Sequence, residues 1–192
     1  MYDAIADPYC YDGSTVLKNL PDIRNQAALD EFEAAMTAQR SDEPLPAGRL
    51  GVAHYRAIHH HLFQDIYAWA GRFRTVRIAK NGSAFCYPEN IAREMNRLFD
   101  TLEKRRYFEG LSHEAFAAAA AAFLSTLNAI HPFREGNGRT QTSFVTVLAA
   151  RAGHPVDLGK LEPEAFQTAM VASFKGDDGP LVRQILRLTK PS

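Results

Sequence analysis

The sequence has few cysteines, no long apolar run and no excess of either charge, and each absence narrows the function classes. Two cysteines, Cys10 and Cys86, in 192 residues do not make a disulfide framework and are typical of a reducing compartment. Lysine plus arginine and aspartate plus glutamate number 22 each. The bulk charge therefore gives no support for direct binding to nucleic acid.

Membrane insertion and export are likewise not expected. The longest apolar stretch, Ala115 to Leu124, is mostly alanine and too short to span a bilayer. The first residues lack a basic region followed by an apolar run, so no signal peptide is predicted. A hydrophobic content of 46% is normal for a folded core. The sequence therefore predicts a soluble cytoplasmic protein with no membrane partner.

Apolar residues recur every three or four positions along most of the chain, which predicts a mainly α fold in a single domain over residues 1–192. The predicted helices cover residues 26–39, 51–69, a segment from Pro88, a segment from an N-cap at Ser112 to about Ile130, and residues 139–151, 163–174 and 179–188. The helix over 139–151 has little amphipathic contrast, so we expect it to be central and buried.

One segment departs from the helical pattern. Residues 74–78 alternate, Asn81 and Gly82 follow, and residues 83–87 are again β-prone. Asn-Gly between two such runs is the strongest local signal for a β-hairpin. Because an isolated hairpin is barely stable in water, this one must lie against the helices or receive a partner strand.

Residues 131–139, His-Pro-Phe-Arg-Glu-Gly-Asn-Gly-Arg, carry most of the information about function. They form a loop that ends at the N-terminus of a predicted helix, where free amides and the helix dipole favour anions. Gly136 and Gly138 allow the backbone to approach a ligand closely. Asn137 adds a side-chain donor, and Arg139 has the planar fork that binds phosphate.

Two further side chains in this run suit metal binding and proton transfer. Glu135 is an oxygen ligand suited to Mg²⁺, which takes one or two carboxylates together with phosphate oxygens. His131 can accept a proton near neutral pH. A Gly-Asn-Gly turn or a lone histidine is usually structural, but their combination with an acid and an arginine indicates catalysis or nucleotide binding. The consecutive histidines 59–61 point about 100° apart on a helix, which predicts a packed or solvated face and no metal site.

The run from His131 to Arg139 resembles the signature of the Fic family, His-x-Phe-x-(Asp/Glu)-Gly-Asn-Gly-Arg-x-x-Arg, and residues 65–74 are similar to the segment that leads into the family's flap. The resemblance covers about residues 50–155. It implies a Fic-like helical bundle with a small β-hairpin flap. It also implies a protein adenylyltransferase, which transfers AMP from Mg-ATP to a Ser, Thr or Tyr hydroxyl of a target protein and releases pyrophosphate.

The same resemblance assigns roles by position. His131 would be the catalytic base, and Glu135 would hold Mg²⁺ between the α- and β-phosphates. The remaining loop residues would cradle and neutralise the phosphates: Gly136, Asn137, Gly138 and Arg139. The target's backbone would dock on the hairpin as an added strand, at Ile78, Lys80, Asn81, Gly82 and Phe85. Lys80 is otherwise a solvated turn lysine, and Phe85 either clamps the target or anchors the hairpin.

Thr142 stands where the family has its final arginine. In the family that arginine grips the γ-phosphate, whereas threonine offers one neutral hydrogen bond, and charge-assisted bonds are roughly twice as strong. Several outcomes stay open: slow AMP transfer, use of another nucleotide or leaving group, lost activity, or phosphorylation as in the Doc-like branch, which also lacks this arginine. A nucleotide- or partner-binding module without turnover is the alternative from another class.

The sequence also lacks the family's inhibitory motif, (Ser/Thr)-x-x-x-Glu-(Gly/Asn). The resemblance therefore implies regulation by a separate small antitoxin, or none. Short toxins of the family modify DNA topoisomerase subunits, while effectors modify small GTPases. The absence of a delivery domain favours a bacterial toxin.

Overall fold

The structure is a computed structural model that describes residues 7–80 and 83–190. Within these ranges it contains seven α-helices and one hairpin of two short strands. The helices are α1 (Gln26–Ser41), α2 (Val52–Phe63), α3 (Pro88–Lys104), α4 (His113–Ile130), α5 (Asn137–Ala152), α6 (Pro163–Phe174) and α7 (Gly179–Leu188). The strands are β1 (Ala79–Lys80) and β2 (Ser83–Ala84). The predicted mainly α fold is therefore confirmed.

Capping side chains set helix boundaries where the sequence predicts them. The Ser112 hydroxyl accepts a hydrogen bond from the Ala115 amide (3.3 Å) at the start of α4. The Asn25 side chain accepts one from the Ala28 amide (3.0 Å) at the start of α1. Each cap satisfies a backbone donor that the first turn of a helix leaves without an internal partner.

The predicted helix over residues 51–69 ends earlier than expected, at Phe63. The amides of Ile66 and Tyr67 both donate to the Phe63 carbonyl (3.0 Å each), which tightens the chain into a turn. The Ile66 carbonyl accepts a hydrogen bond from the Leu20 amide (2.8 Å). A contact with a distant segment thus replaces the bond that a continuing helix would have made.

The hairpin forms at the predicted place, but its strands are much shorter than the two β-prone runs. Ala79 pairs with Ala84, and Lys80 pairs with Ser83, in antiparallel register. Asn81 and Gly82, predicted to form the turn, lie outside the described residues.

The buried Arg74 explains why residues 74–78 do not form a strand. Its guanidinium donates to the Val76 carbonyl and to the Cys86 carbonyl, at 2.6 Å each. These charge-assisted bonds occupy one carbonyl on each arm of the hairpin. In longer strands the same carbonyls would accept hydrogen bonds from backbone amides of the opposite strand.

One compact unit comprises the described residues up to Ile91 together with Pro132–Thr140. Within it α1 packs against α2. Its core is formed by large side chains with relative exposures of 2% or less: Tyr55, Ile58, Leu62, Phe63, Ile66, Tyr67 and Phe133.

The other compact unit comprises Ala92–His131 and the described residues from Gln141 onward. Within it α4, α6 and α7 pack against one another. Phe144 of α5 is fully buried, and its ring centroid lies 5.3 Å from that of Phe99 and 5.8 Å from that of Phe123. Burial of Phe144, Leu148 and Ala149 agrees with the prediction that this helix is central. Among the described residues, no helix combines the length and apolar character needed to cross a bilayer.

Candidate active site

His131 ends α4 in a left-handed conformation, with φ 48° and ψ 64°. The residue before a proline is disfavoured in the helical region, which accounts for the end of the helix here. The His131 amide donates to the Leu127 carbonyl (3.0 Å), and Nδ1 lies 3.2 Å from the Asn128 carbonyl. Because a carbonyl can only accept, Nδ1 carries a proton, and Nε2 is the ring nitrogen that can carry a basic lone pair.

The loop that follows His131 is closed by the side chain of Asn137. Its Oδ1 accepts from the Phe133 amide (3.0 Å), and its Nδ2 donates to the Phe133 carbonyl (2.9 Å). Asn137 is fully buried. The expectation that this side chain donates to phosphate therefore needs correction, because both of its polar atoms hold the loop together.

His59 of α2 holds the backbone of this loop in place through a ring contact and a hydrogen bond. Its ring lies 3.7 Å from the ring of Phe133, centroid to centroid, at an interplanar angle of 29°. The Gly71 amide donates to its Nδ1 (2.8 Å), so its Nε2 carries the proton and donates to the Glu135 carbonyl (3.0 Å),. Burial lowers the pKa of His59 to about 3, which keeps the ring neutral. The predicted packed face is confirmed for His59.

Two carboxylates and one guanidinium define the electrostatics of the loop. Glu135 Oε1 accepts a hydrogen bond from the Gly136 amide (2.9 Å) and lies 4.0 Å from Arg139 Nη2. Burial raises the pKa of Glu135, and the nearby negative charge of Glu33 adds to this effect. Arg139 pairs with Glu33 and is stacked on Phe63, with its guanidinium carbon 4.7 Å from the ring centroid.

The donor set at Glu135 fits a magnesium ion that is delivered with a nucleotide. The Glu135 side chain is 31% exposed, and its carboxylate is an oxygen ligand of the kind that Mg²⁺ prefers. Among residues 7–80 and 83–190, no group of three or more His, Cys, Asp or Glu side chains could hold a metal ion. An ion at Glu135 would take its other ligands from phosphate and water.

The two glycines of the loop have different constraints. Gly136 has φ +79°, and a Cβ at this position would lie 2.3 Å from the Phe63 ring. A Cβ at Gly138 would meet nothing within 4 Å apart from its chain neighbours and the backbone of its own helix. Gly136 is thus required by the fold, whereas Gly138, in the first turn of α5, leaves space for a ligand at the helix N-terminus.

We expect alanine substitutions at these glycines to separate folding from nucleotide binding. Gly136→Ala should lower the free energy of unfolding by about 2–4 kcal/mol, because the methyl group clashes with Phe63 and the backbone is strained. Gly138→Ala should unfold within about 0.5 kcal/mol of wild type but bind Mg-ATP at least about tenfold more weakly. Chemical denaturation and calorimetric titration measure the two quantities. Equal losses of stability in both variants would contradict this assignment.

The sequence did not indicate two buried arginine contacts that hold this loop. The side chain of Arg134 is 5% exposed and pairs with Asp7 at 2.6 Å, a residue 127 positions earlier in the chain. The Arg74 amide donates to the Pro132 carbonyl (2.9 Å), which joins the loop to the segment that leads into the hairpin. His59 could have been found from its position on the same helical face as Tyr55 and Leu62.

Three of the predicted docking residues can be placed on the hairpin. Ile78 is 3% exposed, so only its main chain could meet a target. Its carbonyl accepts a hydrogen bond from the Phe85 amide (3.2 Å), which extends the pairing of β1 and β2 by one bond. Lys80 and Phe85 have half-buried side chains. The other two, Asn81 and Gly82, lie outside the described residues.

Thr142 lies three residues after Arg139 in α5 and is half-buried. Its carbonyl accepts a hydrogen bond from the Thr146 hydroxyl (3.0 Å), as in many helices,. The side chain is short and carries no charge, so it cannot reproduce the planar fork of an arginine.

Comparison with known proteins places this site in a family. The model of the Fic/DOC family matches residues 49–149. A probable protein adenylyltransferase of Sinorhizobium fredii is 52% identical over 188 residues, which cover 97% of this chain and 98% of the relative.

Two solved structures are similar over nearly the whole chain. The BepC effector protein of Bartonella tribocorum, with bound AMPPNP, has 29% identity and a TM-score of 0.84, covering 96% of this chain and 97% of its own. The N-terminal Fic domain of a putative cell filamentation protein of Bartonella quintana, with bound ADP, has 32% identity and a TM-score of 0.83, covering 96% and 95%. The helices, the short hairpin and the loop after α4 are therefore those of a Fic domain, and this chain belongs to the Fic/DOC family.

Proposed function

We propose that this protein is a protein adenylyltransferase, a nucleotidyltransferase that moves AMP from Mg-ATP to a hydroxyl group of a target protein. The observation that carries the proposal is the loop at the N-terminus of α5. There the Glu135 carboxylate and the Arg139 guanidinium lie 4.0 Å apart, and Gly138 leaves open space. The protein adenylyltransferase name of the Sinorhizobium relative and the adenine nucleotides of the two Bartonella structures support it.

The proposed reaction is a direct displacement at the α-phosphorus. His131 Nε2 accepts the proton of the target hydroxyl, whose oxygen forms a bond to the α-phosphorus. The bond from that phosphorus to the oxygen bridging the α- and β-phosphates breaks, and pyrophosphate leaves. The Gly138 amide and the guanidinium of Arg139 hold the phosphates, while the Gly136 amide holds the Glu135 carboxylate. Magnesium held by Glu135 would offset phosphate charge.

The hairpin is the proposed flap on which the target docks. Main-chain pairing with an added strand would position a hydroxyl with little demand on the target's sequence. Ile78 and Phe85 would contribute backbone groups, and Lys80, Asn81 and Gly82 are the further residues that we propose for target docking. Whether Phe85 clamps the target side chain or anchors the hairpin is decided by comparing Phe85→Ala with Phe85→Leu. Leucine should restore transfer only if anchoring is the role.

The proposed setting is a bacterial toxin in the cytoplasm. Its target would be a DNA topoisomerase subunit or a small GTPase, and a separate small antitoxin would restrain it. We also propose that residues 1–192 form one catalytic domain, since the family match runs across both compact units. Incubation with purified candidate targets and labelled ATP, followed by mass spectrometry, tests the target directly.

Thr142 limits the rate of the proposed reaction. An arginine at this position would replace one neutral hydrogen bond by charge-assisted ones, a gain of about 1–1.5 kcal/mol or roughly tenfold. We therefore expect Thr142→Arg to raise kcat/KM for ATP about tenfold. Ser143→Arg adds the same charge one residue later and serves as the matched control. An unchanged rate in Thr142→Arg would show that this position does not limit transfer.

A second candidate function, transfer of the γ-phosphate as in the Doc-like branch, is favoured by Thr142 alone. The two reactions leave different groups on the target. Incubation with ATP labelled at the α- or the γ-phosphate distinguishes them, because AMP transfer retains only the α-label and phosphorylation only the γ-label. Transfer of the γ-label alone would overturn the proposed function.

A further inference from the structure

A carboxylate outside the signature run lies directly on its arginine. Glu33 of α1 pairs with the Arg139 guanidinium through Oε1, and its Oε2 accepts a hydrogen bond from the Tyr67 hydroxyl. The Glu33 side chain is 14% exposed, and Tyr67 is 2% exposed. Glu33 therefore links the buried Tyr67 to Arg139, the side chain that binds phosphate in the proposed reaction.

Two more contacts restrain the same guanidinium. Arg139 Nη1 donates to the Thr37 hydroxyl (3.3 Å). That hydroxyl donates its own proton to the Glu33 carbonyl (2.7 Å), so it presents a lone pair to the arginine,. The Phe63 ring covers one face of the guanidinium, with its centroid 4.7 Å from the central carbon. Arg139 is thus held on two edges and one face, while its side chain remains 39% exposed.

Such a carboxylate could act in two opposite ways. It could compete with phosphate for the arginine, and its removal would then tighten nucleotide binding. It could instead hold the arginine in the orientation that receives phosphate, and its removal would then weaken binding. The sign of the change in affinity separates the two roles.

The contacts of Tyr67 favour the holding role. Burial, followed by the Glu33 charge, raises the pKa of Tyr67, so its hydroxyl remains a donor at neutral pH. A ligand that displaced Glu33 would leave this buried donor without its acceptor, which disfavours displacement by a factor of roughly 10 to 100. A phosphate that used the exposed part of the guanidinium would leave Glu33 in place.

We propose that Glu33 is a positioning residue that orients Arg139 for the nucleotide phosphates. The inference rests on the proposed function, because it assigns the partner of Arg139 in that reaction. An unrestrained arginine loses most of its rotamer freedom when it binds. Glu33, Thr37 and Phe63 remove that freedom before the nucleotide arrives, which strengthens binding in the way that preorganised sites do.

The test compares Glu33→Gln with Glu31→Gln, which removes the same charge at an exposed position of α1. We expect the Kd for Mg-AMPPNP, measured by calorimetric titration, to rise about tenfold in Glu33→Gln and to stay within about twofold of wild type in Glu31→Gln. Tyr67→Phe leaves the carboxylate but loosens it, and should raise the Kd about threefold. If Glu33→Gln does not fold, Tyr67→Phe tests the same positioning role.

A second measurement does not depend on the nucleotide. The Arg139 Nη–Hη signal, which reports the bonds to Thr37 and Glu33, should be sharp and slowly exchanging in an NMR spectrum of the free wild-type protein, and broadened in Glu33→Gln. A purely structural role of Glu33 elsewhere in the fold would leave this signal unchanged.

The outcomes separate the two proposals. If wild type binds Mg-AMPPNP and Glu33→Gln binds it equally well or more tightly, the positioning role of Glu33 is overturned and the proposed function stands. If wild type itself does not bind Mg-AMPPNP, the proposed function fails, and the role of Glu33 falls with it.

Discussion

Replacing His131 with alanine is expected to lower the rate of AMP transfer by a factor of about 10²–10⁴, the usual contribution of a general base. The Asn128 carbonyl takes the proton on Nδ1, so Nε2 is the ring atom that can accept a proton. Affinity for Mg-ATP should change little, because we propose that Gly138 and Arg139, not His131, bind the phosphates. Single-turnover transfer of α-labelled AMP measures the effect.

The conformation of His131 dictates the control. With φ at 48°, the residue occupies the left-handed region, which alanine adopts less readily than asparagine. His131→Asn therefore keeps the turn while it removes the base, and it should lose transfer to the same extent with little loss of stability. Transfer that persists in both variants would exclude His131 as the base. An effect on the target that persists without transfer would instead indicate a binding module without turnover.

Loss of His59 is expected to have the largest effect on stability. His59→Gln removes a fully buried ring that stacks on Phe133, and it disturbs the bonds to Gly71 and Glu135. At pH 7 we expect the free energy of unfolding to fall by about 3–5 kcal/mol. Denaturant titration followed by circular dichroism gives this quantity. His60→Gln, at an exposed neighbouring position, is the matched control and should unfold within about 0.5 kcal/mol of wild type.

The difference in the free energy of unfolding between wild type and His59→Gln should depend on pH. Burial lowers the pKa of His59 to about 3, whereas an unfolded histidine titrates near 6.5. Between these values the unfolded chain binds a proton that the folded protein does not. The stabilisation by His59 is therefore fully present above about pH 6.5 and is lost progressively as the pH falls towards 3.

Denaturation at pH 7, 6 and 5 tests this dependence. The stability difference between wild type and His59→Gln should shrink by about 2 kcal/mol from pH 7 to pH 5, since one proton contributes at most about 1.4 kcal/mol per pH unit. A difference that stays constant over this range would mean that His59 is not held neutral by the fold.

Elements whose causes are local could be predicted well. The Ser112 cap lies next to the helix it starts, and the end of α4 is set by Pro132, so neighbouring residues suffice to place both boundaries. The hairpin was placed correctly by Asn81 and Gly82, but its strand length was wrong. The side chain of Arg74 decides that length, and its partners Val76 and Cys86 cannot be read from β-propensity.

The candidate site divides in the same way. The chemical groups of the site could be predicted from the nine residues 131–139, because each group is a side chain or an amide of that run beside the helix N-terminus. Their supports come from elsewhere: Glu33 and His59 are 106 and 76 residues from the loop residues they bind. A sequence pattern cannot pair residues at such separations, since many side chains of the right chemistry are available to each partner.

The sequence by itself determined most of the helices, the end of α4 at His131 and the order of histidine, carboxylate, amides and arginine along the chain. These follow from backbone sterics and from the intrinsic chemistry of adjacent residues. Only the tertiary structure decided that Asn137 closes the loop, that His59 stays neutral beneath it and that Glu33 holds Arg139. Those assignments depend on burial and on which distant groups come within hydrogen-bonding distance, and both arise only when the chain is packed.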